Sequence, residues 1–298
     1  MKWNDFVLTL ADTSQVTKNL LRLEFDVDPG AGQGYEPITP GDESIAFYLS
    51  PDGDELRTRS SQDPAALGGW ELADPERSLG HRNYTVRSYD AASRRMVVDV
   101  AEHGHGPAMD WFRAARPGWR LLAAGPRSWY SPPADATQHV LAGDLAALPA
   151  LARILEDTPP EIEVTVLAEV LDGSDTGYLA DRPGTEVIEL LGSGNGAAPS
   201  ALASALNRID LPPDAYLWLA GEAADTRAAK KHVRGLGWSR GRADIVGYWR
   251  QDAEAWAKRF EESGGERLRQ VFADALAAGK SRDEATEIYE QALERIGL

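Results

Sequence analysis

The chain has 298 residues, no cysteine and a formal net charge of −16, which excludes disulfides and Cys-ligated zinc or iron–sulfur clusters and disfavours nucleic acid or an anionic membrane as partner. Its length suits two domains, and its 43% hydrophobic content suits well-buried cores. No run reaches the ~18 apolar residues of a membrane span, and the opening MKWNDFVLTLADTSQ lacks the apolar core and cleavage site of a signal peptide, so the expected location is the cytoplasm.

The first third reads as β. FVLTLADT, LLRLEFDVD and SIAFYLSP carry alternating apolar positions, with the turn-like TPGDE before the third. Residues 51–81, rich in Pro and Gly, read as an irregular excursion over the surface. YTVRSYD and RMVVDVAEH resume the strand pattern across the turn AASR. DWFRAARPG predicts a short helix stopped at Pro117-Gly118, and WRLLAAGPR a last strand; short strands with frequent turns suggest a sandwich or an antiparallel barrel. SPPADAT, residues 131–137, is the linker candidate. His103-x-His105 could bind metal, but its Gly-rich setting reads more simply as a loop.

After the linker the pattern changes. QHVLAGD, EVTVLAEVL, TEVIELLGSG, YLWLAGE and ADIVGYWR read as strands, interleaved with the helical LAALPALARILEDT, PSALASALNRI and ADTRAAKKHVRGLG. Such alternation means βαβ units and a parallel sheet, which binds ligands at the carboxyl ends of its strands. Here those ends are Gly143-Asp144, Gly221-Glu222 and the Gly247–Arg250 region. The tail reads as two helices, the first ending near Gly279 and the second opening on the capping box Ser281-x-x-Glu284. The glycine-rich GSGNGAA, residues 192–198, lacks the GxGxxG spacing and reads as a loop.

The densest stretch is RNYTVRSYD, residues 82–90. A β-barrel followed by an α/β domain resembles the plan of flavin reductases, and in that plan an arginine can fork onto a diphosphate, a tyrosine can lie against the flavin ring, and a threonine hydroxyl can hydrogen-bond near the flavin N5. Strand alternation puts Arg82, Tyr84 and Val86 on one face and Asn83, Thr85 and Arg87 on the other, so a twist, a bulge or contact around the strand edge is needed for both sets to serve one ligand.

Over about residues 5–252 the chain resembles the siderophore-interacting protein family, FAD-dependent ferric-siderophore reductases of the ferredoxin-reductase superfamily. Arg82-Asn83-Tyr84-Thr85-Val86-Arg87 looks like the family's Arg-x-Tyr-Thr flavin signature. VVDVAEHGHGPAMDWFRAARPGWRLLAAGPR, GDLAALPALARILE, WLAGEAADTRAAKKHV and GYWR are similar to its later blocks, in order. The resemblance implies an FAD-binding β-barrel domain (1–131), an α/β NAD(P)-binding-like domain (137–262) and a C-terminal helical extension (263–298). It implies Arg82, Tyr84, Thr85, Val86, Arg87, Asp99, Val100, His103, Gly104, Gly106, Pro107 and Ala108 around the FAD, and Gly143, Asp144, Gly221 and Glu222 at the nicotinamide crevice. A ferric siderophore is often anionic, so Lys230, Arg240, Arg242 and Arg250 are candidates for its pocket. No catalytic side chain is assigned, because the electrons pass through the flavin.

The resemblance further implies reduction of Fe(III)-siderophore and release of Fe(II) in the cytoplasm. NAD(P)H or an electron-carrier protein would be the donor. The chain departs from the family where the usual Gly-Asp-Glu-Thr becomes Gly143-Asp144-Leu145-Ala146; polar groups there would face the crevice, so weak NAD(P)H use is expected. Two alternatives stand beside this reading: a generic flavin reductase with a protein electron carrier, and a ferric-siderophore carrier without redox function.

Overall fold

The computed structural model describes residues 3–28, 34–62, 66–104, 106–238 and 240–298, apart from a few side chains, that of Arg240 among them. His105 lies outside the described residues. The chain forms two compact units, 1–249 and 250–298.

The first unit begins with β1 (Asn4–Thr17), β2 (Leu20–Val27) and β3 (Ser44–Tyr48). Within the 51–81 excursion, β4 (Thr58–Ser60) and β5 (Trp70–Leu72) form a small hairpin sheet. Next come β6 (His81–Thr85), β7 (Ser88–Asp90), β8 (Arg95–Ala101), helix α1 (Pro107–Ala114) and β9 (Arg120–Arg127). Seven of these strands make one antiparallel sheet in the order β6-β3-β9-β1-β2-β8-β7, which curls until β6 meets β8. Its inner face is apolar because alternate residues such as Phe6, Leu8 and Leu10 of β1 turn inward onto Phe25, Phe47 and Met96.

The parallel half follows with β10 (Gln138–Gly143), α2 (Leu148–Asp157), β11 (Glu163–Val170), α3 (Gly173–Thr176) and β12 (Thr185–Leu191). It continues through α4 (Leu202–Leu206), β13 (Tyr216–Glu222), α5 (Ala223–Gly235) and β14 (Ala243–Trp249). All strand pairs are parallel, in the order β12-β11-β10-β13-β14. The central strands β10 and β13 read as near-continuous apolar runs because both faces are covered, by α2 on one side and by α4 and α5 on the other.

The second unit holds three helices, α6 (Ala253–Glu262), α7 (Gly265–Ala277) and α8 (Arg282–Arg295), around Phe260, Leu268, Leu293 and Leu298. The sequence announces only the last two; α6 has no capping side chain to mark its start. The Ser281–Glu284 capping box forms as expected, with both reciprocal hydrogen bonds in place. Among the described residues no helix is long and apolar enough to cross a membrane.

Candidate cofactor crevice

RNYTVRSYD is not one strand. β6 ends at Thr85, the chain bends at Val86–Arg87, and β7 begins at Ser88. The bend sends Arg87 toward the parallel half, where its guanidinium forks onto Glu156 at 2.9 and 2.5 Å. Val86 is wholly buried, its amide bonded to the Glu43 carbonyl at 2.8 Å. Tyr84 is half-buried, its ring 5.0 Å from Phe47 and 5.4 Å from Phe112. Arg82 is exposed and donates to its neighbour's carbonyl, that of His81, at 2.8 Å.

Thr85 is buried in the crevice between the two sheets. Its hydroxyl and that of its cross-strand partner Ser44 have no hydrogen bond among the described residues, and neither has the buried hydroxyl of Tyr248 on β14. The Thr85 hydroxyl lies toward that of Tyr248 and lowers its pKa, without a hydrogen bond of good geometry; burial and the nearby Asp42 hold that phenol well above its ordinary range. A buried polar group left unpaired costs about 1–3 kcal/mol. Three at one seam mark a place where a polar ligand edge is expected.

Asp42, from the turn-like TPGDE, is fully buried and organises the wall of this seam. It accepts from the Ser128 hydroxyl, from the Trp129 amide at 2.8 Å and from the Trp218 indole at 3.3 Å. The next residue, Glu43, is also fully buried, bonded by Arg153 at 2.9 Å and by the Tyr35 hydroxyl at 2.6 Å. The sequence reading treats TPGDE as a turn and misses both, because nothing in the motif says that another domain will close over it.

His103 and Gly104 line a cavity of about 400 Å³, with Arg113 on the same side and Asn195, Gly196 and Ala197 opposite. Arg113, on α1, donates to the carbonyls of His103 and Gly104 at 3.0 and 3.1 Å, bringing a positive charge to a cavity wall that also holds the Glu102 carboxylate. Gly106 caps α1 at φ +139°, a conformation closed to other residues, and Pro107 occupies the first helical turn. Helix N-termini of this kind attract anions. Ala108 packs on the barrel core. Val100 belongs to that core, and Asp99 is buried in a bidentate pair with Arg22 at 2.8 Å, with the Tyr178 hydroxyl at 2.5 Å. Asp99 and Arg87 thus have their side chains committed to protein contacts between the two sheets.

On the parallel sheet, Gly143 and Gly221 are close-packing positions. A Cβ at 143 would stand 2.6 Å from that of Ala147, and one at 221 would stand 3.0 Å from an Asp144 carboxylate oxygen. Asp144 is buried and accepts from the amides of Ala146 and Ala147 and from the Trp249 indole at 2.5 Å. Burial pushes its carboxyl up to about 7, the three hydrogen bonds opposing. Glu222 caps α5 through the amides of Ala224 and Asp225. Burial, followed by the charges of Glu222 and Glu169, raises the Asp225 carboxyl to about 6. Leu145, expected from the sequence to face the crevice, is 2% exposed and belongs to the apolar cluster that also holds Leu141, Leu148 and Leu151.

Arg242 is tied to Asp135 at 2.5 Å and to the Asp214 carbonyl, Lys230 lies on α5, and Arg250 belongs to the second unit, over the Trp256 ring at 4.1 Å. The Arg240 side chain is outside the described atoms.

A curled antiparallel sheet followed by a parallel α/β sheet, meeting at a crevice, is the ferredoxin-reductase-like plan of flavin-dependent reductases. Two family models divide the chain between them: the siderophore-interacting FAD-binding domain matches residues 9–130, and siderophore-interacting protein matches 136–252. The chain belongs to the siderophore-interacting protein family. It is 28% identical over 247 residues to the ferric vibriobactin reductase of Vibrio cholerae, covering 79% of this chain and 86% of that one. The siderophore-interacting protein of Acinetobacter baumannii superposes with a TM-score of 0.70 at 18% identity, over 90% of this chain and all of that one. A siderophore utilization protein from T. fusca does so with a TM-score of 0.66 at 27% identity, over 85% and 95%.

Proposed function

We propose that the protein reduces a ferric siderophore through bound FAD and so releases iron as Fe(II). The observation that carries this reading is the trio of buried hydroxyls, Ser44, Thr85 and Tyr248, without hydrogen-bond partners among the described residues at the crevice of a family fold. Those groups fit the polar edge of a flavin ring, and the glycine-capped start of α1 with Arg113 beside it fits a diphosphate. FAD, when bound, supplies the conversion of a two-electron supply into single electrons for iron.

The chain's own residues do the rest. Thr85, Ser44 and Tyr248 offer hydroxyls to the ring edge. Half-buried Tyr84 lends a flat surface, and Arg82 has the reach and charge for a phosphate. Trp218 and Tyr248 keep bulk water out of the seam. Asp144, titrating near neutrality, holds a proton beside it. Hard oxygen donors grip Fe(III) far better than Fe(II), so reduction loosens the siderophore without breaking it, and the protein needs no iron ligands of its own.

Heating the purified protein and chromatographing the released flavin tests the cofactor: FAD is expected, and FMN alone or no flavin refutes the reading. Arg82→Ala should lower FAD retention roughly ten- to a hundredfold, from the loss of a charge-assisted bond of about 1.5–3 kcal/mol. Anaerobic reduction followed by a ferric siderophore and an Fe(II) chelator then tests the reaction; a reduced flavin that leaves every ferric siderophore untouched would favour the non-redox carrier.

A further inference from the structure

A second feature of the barrel lies outside the cofactor crevice described above. Six side chains at or near the ends of five strands meet on one face of the barrel: Trp3 before β1, Tyr48 ending β3, Trp70 on β5, His81 opening β6, Arg127 ending β9, and Trp129 just beyond. The register brings them together, since Tyr48 pairs with both His81 and Leu122 across β3. The Arg127 guanidinium lies 4.5 Å from the Trp129 ring centre and 5.6 Å from that of Trp3. Tyr48 stacks on His81 at 5.2 Å and meets Trp70 edge-on at 5.5 Å, and the Trp70 indole donates to the Trp3 carbonyl at 3.1 Å.

Two properties set this wall apart. Its rings are only half-buried, and His81 is exposed, so aromatic area remains open where a soluble protein normally scatters it. It is also locally positive in a chain of net charge −16: burial and then the charges of Arg82 and Arg127 hold the His81 imidazole below its ordinary pKa. Flat rings around a cation bind planar aromatic groups that carry negative charge. The wall shares no residue with the 400 Å³ cavity by His103, yet its Trp129 ring is 6.4 Å from that of Tyr248 at the crevice.

We infer that the Trp3–Arg127–Trp129 wall, with Tyr48, Trp70 and His81, is a binding site for an aryl iron-chelating group, so that the preferred substrate is an anionic ferric catecholate or phenolate complex rather than a ferric hydroxamate. This rests on the ferric-siderophore reading above. The same chemistry, a flat ring beside an anion, is present in FAD itself, and the test separates the two.

Calorimetric titration of the oxidised, FAD-loaded full chain would use ferric tris(2,3-dihydroxybenzoate) and ferric tris(acetohydroxamate) as probes. The aryl complex is expected to bind at least about tenfold more tightly, the size of one stacked ring with a cation–π contact. Trp129→Ala and Arg127→Ala should each remove most of that preference, leave hydroxamate binding unchanged and keep the FAD content; Trp129→Phe should restore it. Equal binding of the two complexes by the unaltered protein overturns the inference without touching the proposed function. Loss of FAD from folded Trp129→Ala or Arg127→Ala protein assigns the wall to the cofactor and also overturns it. An FAD-loaded protein that binds neither complex refutes the ferric-siderophore reading, and this inference with it.

Discussion

The two sides of the crevice treat their polar groups in opposite ways. On the barrel side, Ser44 and Thr85 keep buried hydroxyls without partners among the described residues, and Tyr248 faces them in the same state. At the carboxyl edge of the parallel sheet, the helix starts that commonly receive nucleotide phosphates are occupied by the chain's own carboxylates: Asp144 accepts from the amides leading into α2, and Glu222 from those of α5. Glu169 accepts from Ser193 and from the Ala201 amide. One side is prepared for a ligand; the other is already satisfied. The difference bears on which ligand each side can take.

The sharpest way to break this comparison is Leu145→Glu. If position 145 belongs to the core, the change buries an unpaired carboxylate and should cost about 3–5 kcal/mol, read as a large drop in urea midpoint. A stable variant with improved NADH use would restore the idea that 145 faces the crevice. Next in size is the pH dependence of Asp144. Its carboxyl titrates near 7 when folded and near 3.9 when unfolded, so between those values the folded state keeps a proton that the unfolded state has released. Stability contributed this way is fully present below about pH 4 and is lost as pH rises toward 7. Asp144→Asn should flatten that fall by at most about 4 kcal/mol, at a pH-independent cost from the Trp249 indole left facing an amide. Urea midpoints of both proteins across pH 4–8 check it; identical slopes would mean that Asp144 is charged throughout. The smallest signal is expected from the nicotinamide donor. With the starts of α2 and α5 capped by Asp144 and Glu222, those amides are already engaged, so stopped-flow reduction of the flavin by NADH or NADPH should be slow and unsaturated at micromolar donor. Rapid, saturable reduction would show that the carboxylates yield to phosphate.

Periodicity made most of the fold legible. The switch from two-residue alternation to strand–helix repeats placed the antiparallel and parallel halves, and the capping box placed α8. The start of α1 after the glycine-rich turn was also legible, because Gly106 and Pro107 answer to local backbone needs. What escaped depends on surroundings. Arg87 and Asp99 look like cofactor ligands in a motif, but a bend at Val86 and the arrival of Glu156, Arg22 and Tyr178 turn them to protein contacts. Asp42 looked like a loop acid until Trp218, 176 positions away, closed over it. Arg113 sits on a helix that the sequence predicts, while its reach back to the 103–104 carbonyls leaves no mark in the sequence.

The seam between the sheets carries one more consequence. Lys18 meets Asp172, Thr17 and Asn19 meet Asp175, Arg22 and Tyr178 share Asp99, Arg87 forks onto Glu156, and Arg153 reaches Glu43. Each pair spans from one sheet system to the other or is braced by a residue that does, and several are buried on the acidic side. Heat cannot melt the barrel and leave the α/β half intact without exposing those charges to separation. Residues 3–249 should therefore absorb heat in a single calorimetric peak, its van't Hoff and calorimetric enthalpies agreeing, even though the two sheets are built on different topologies.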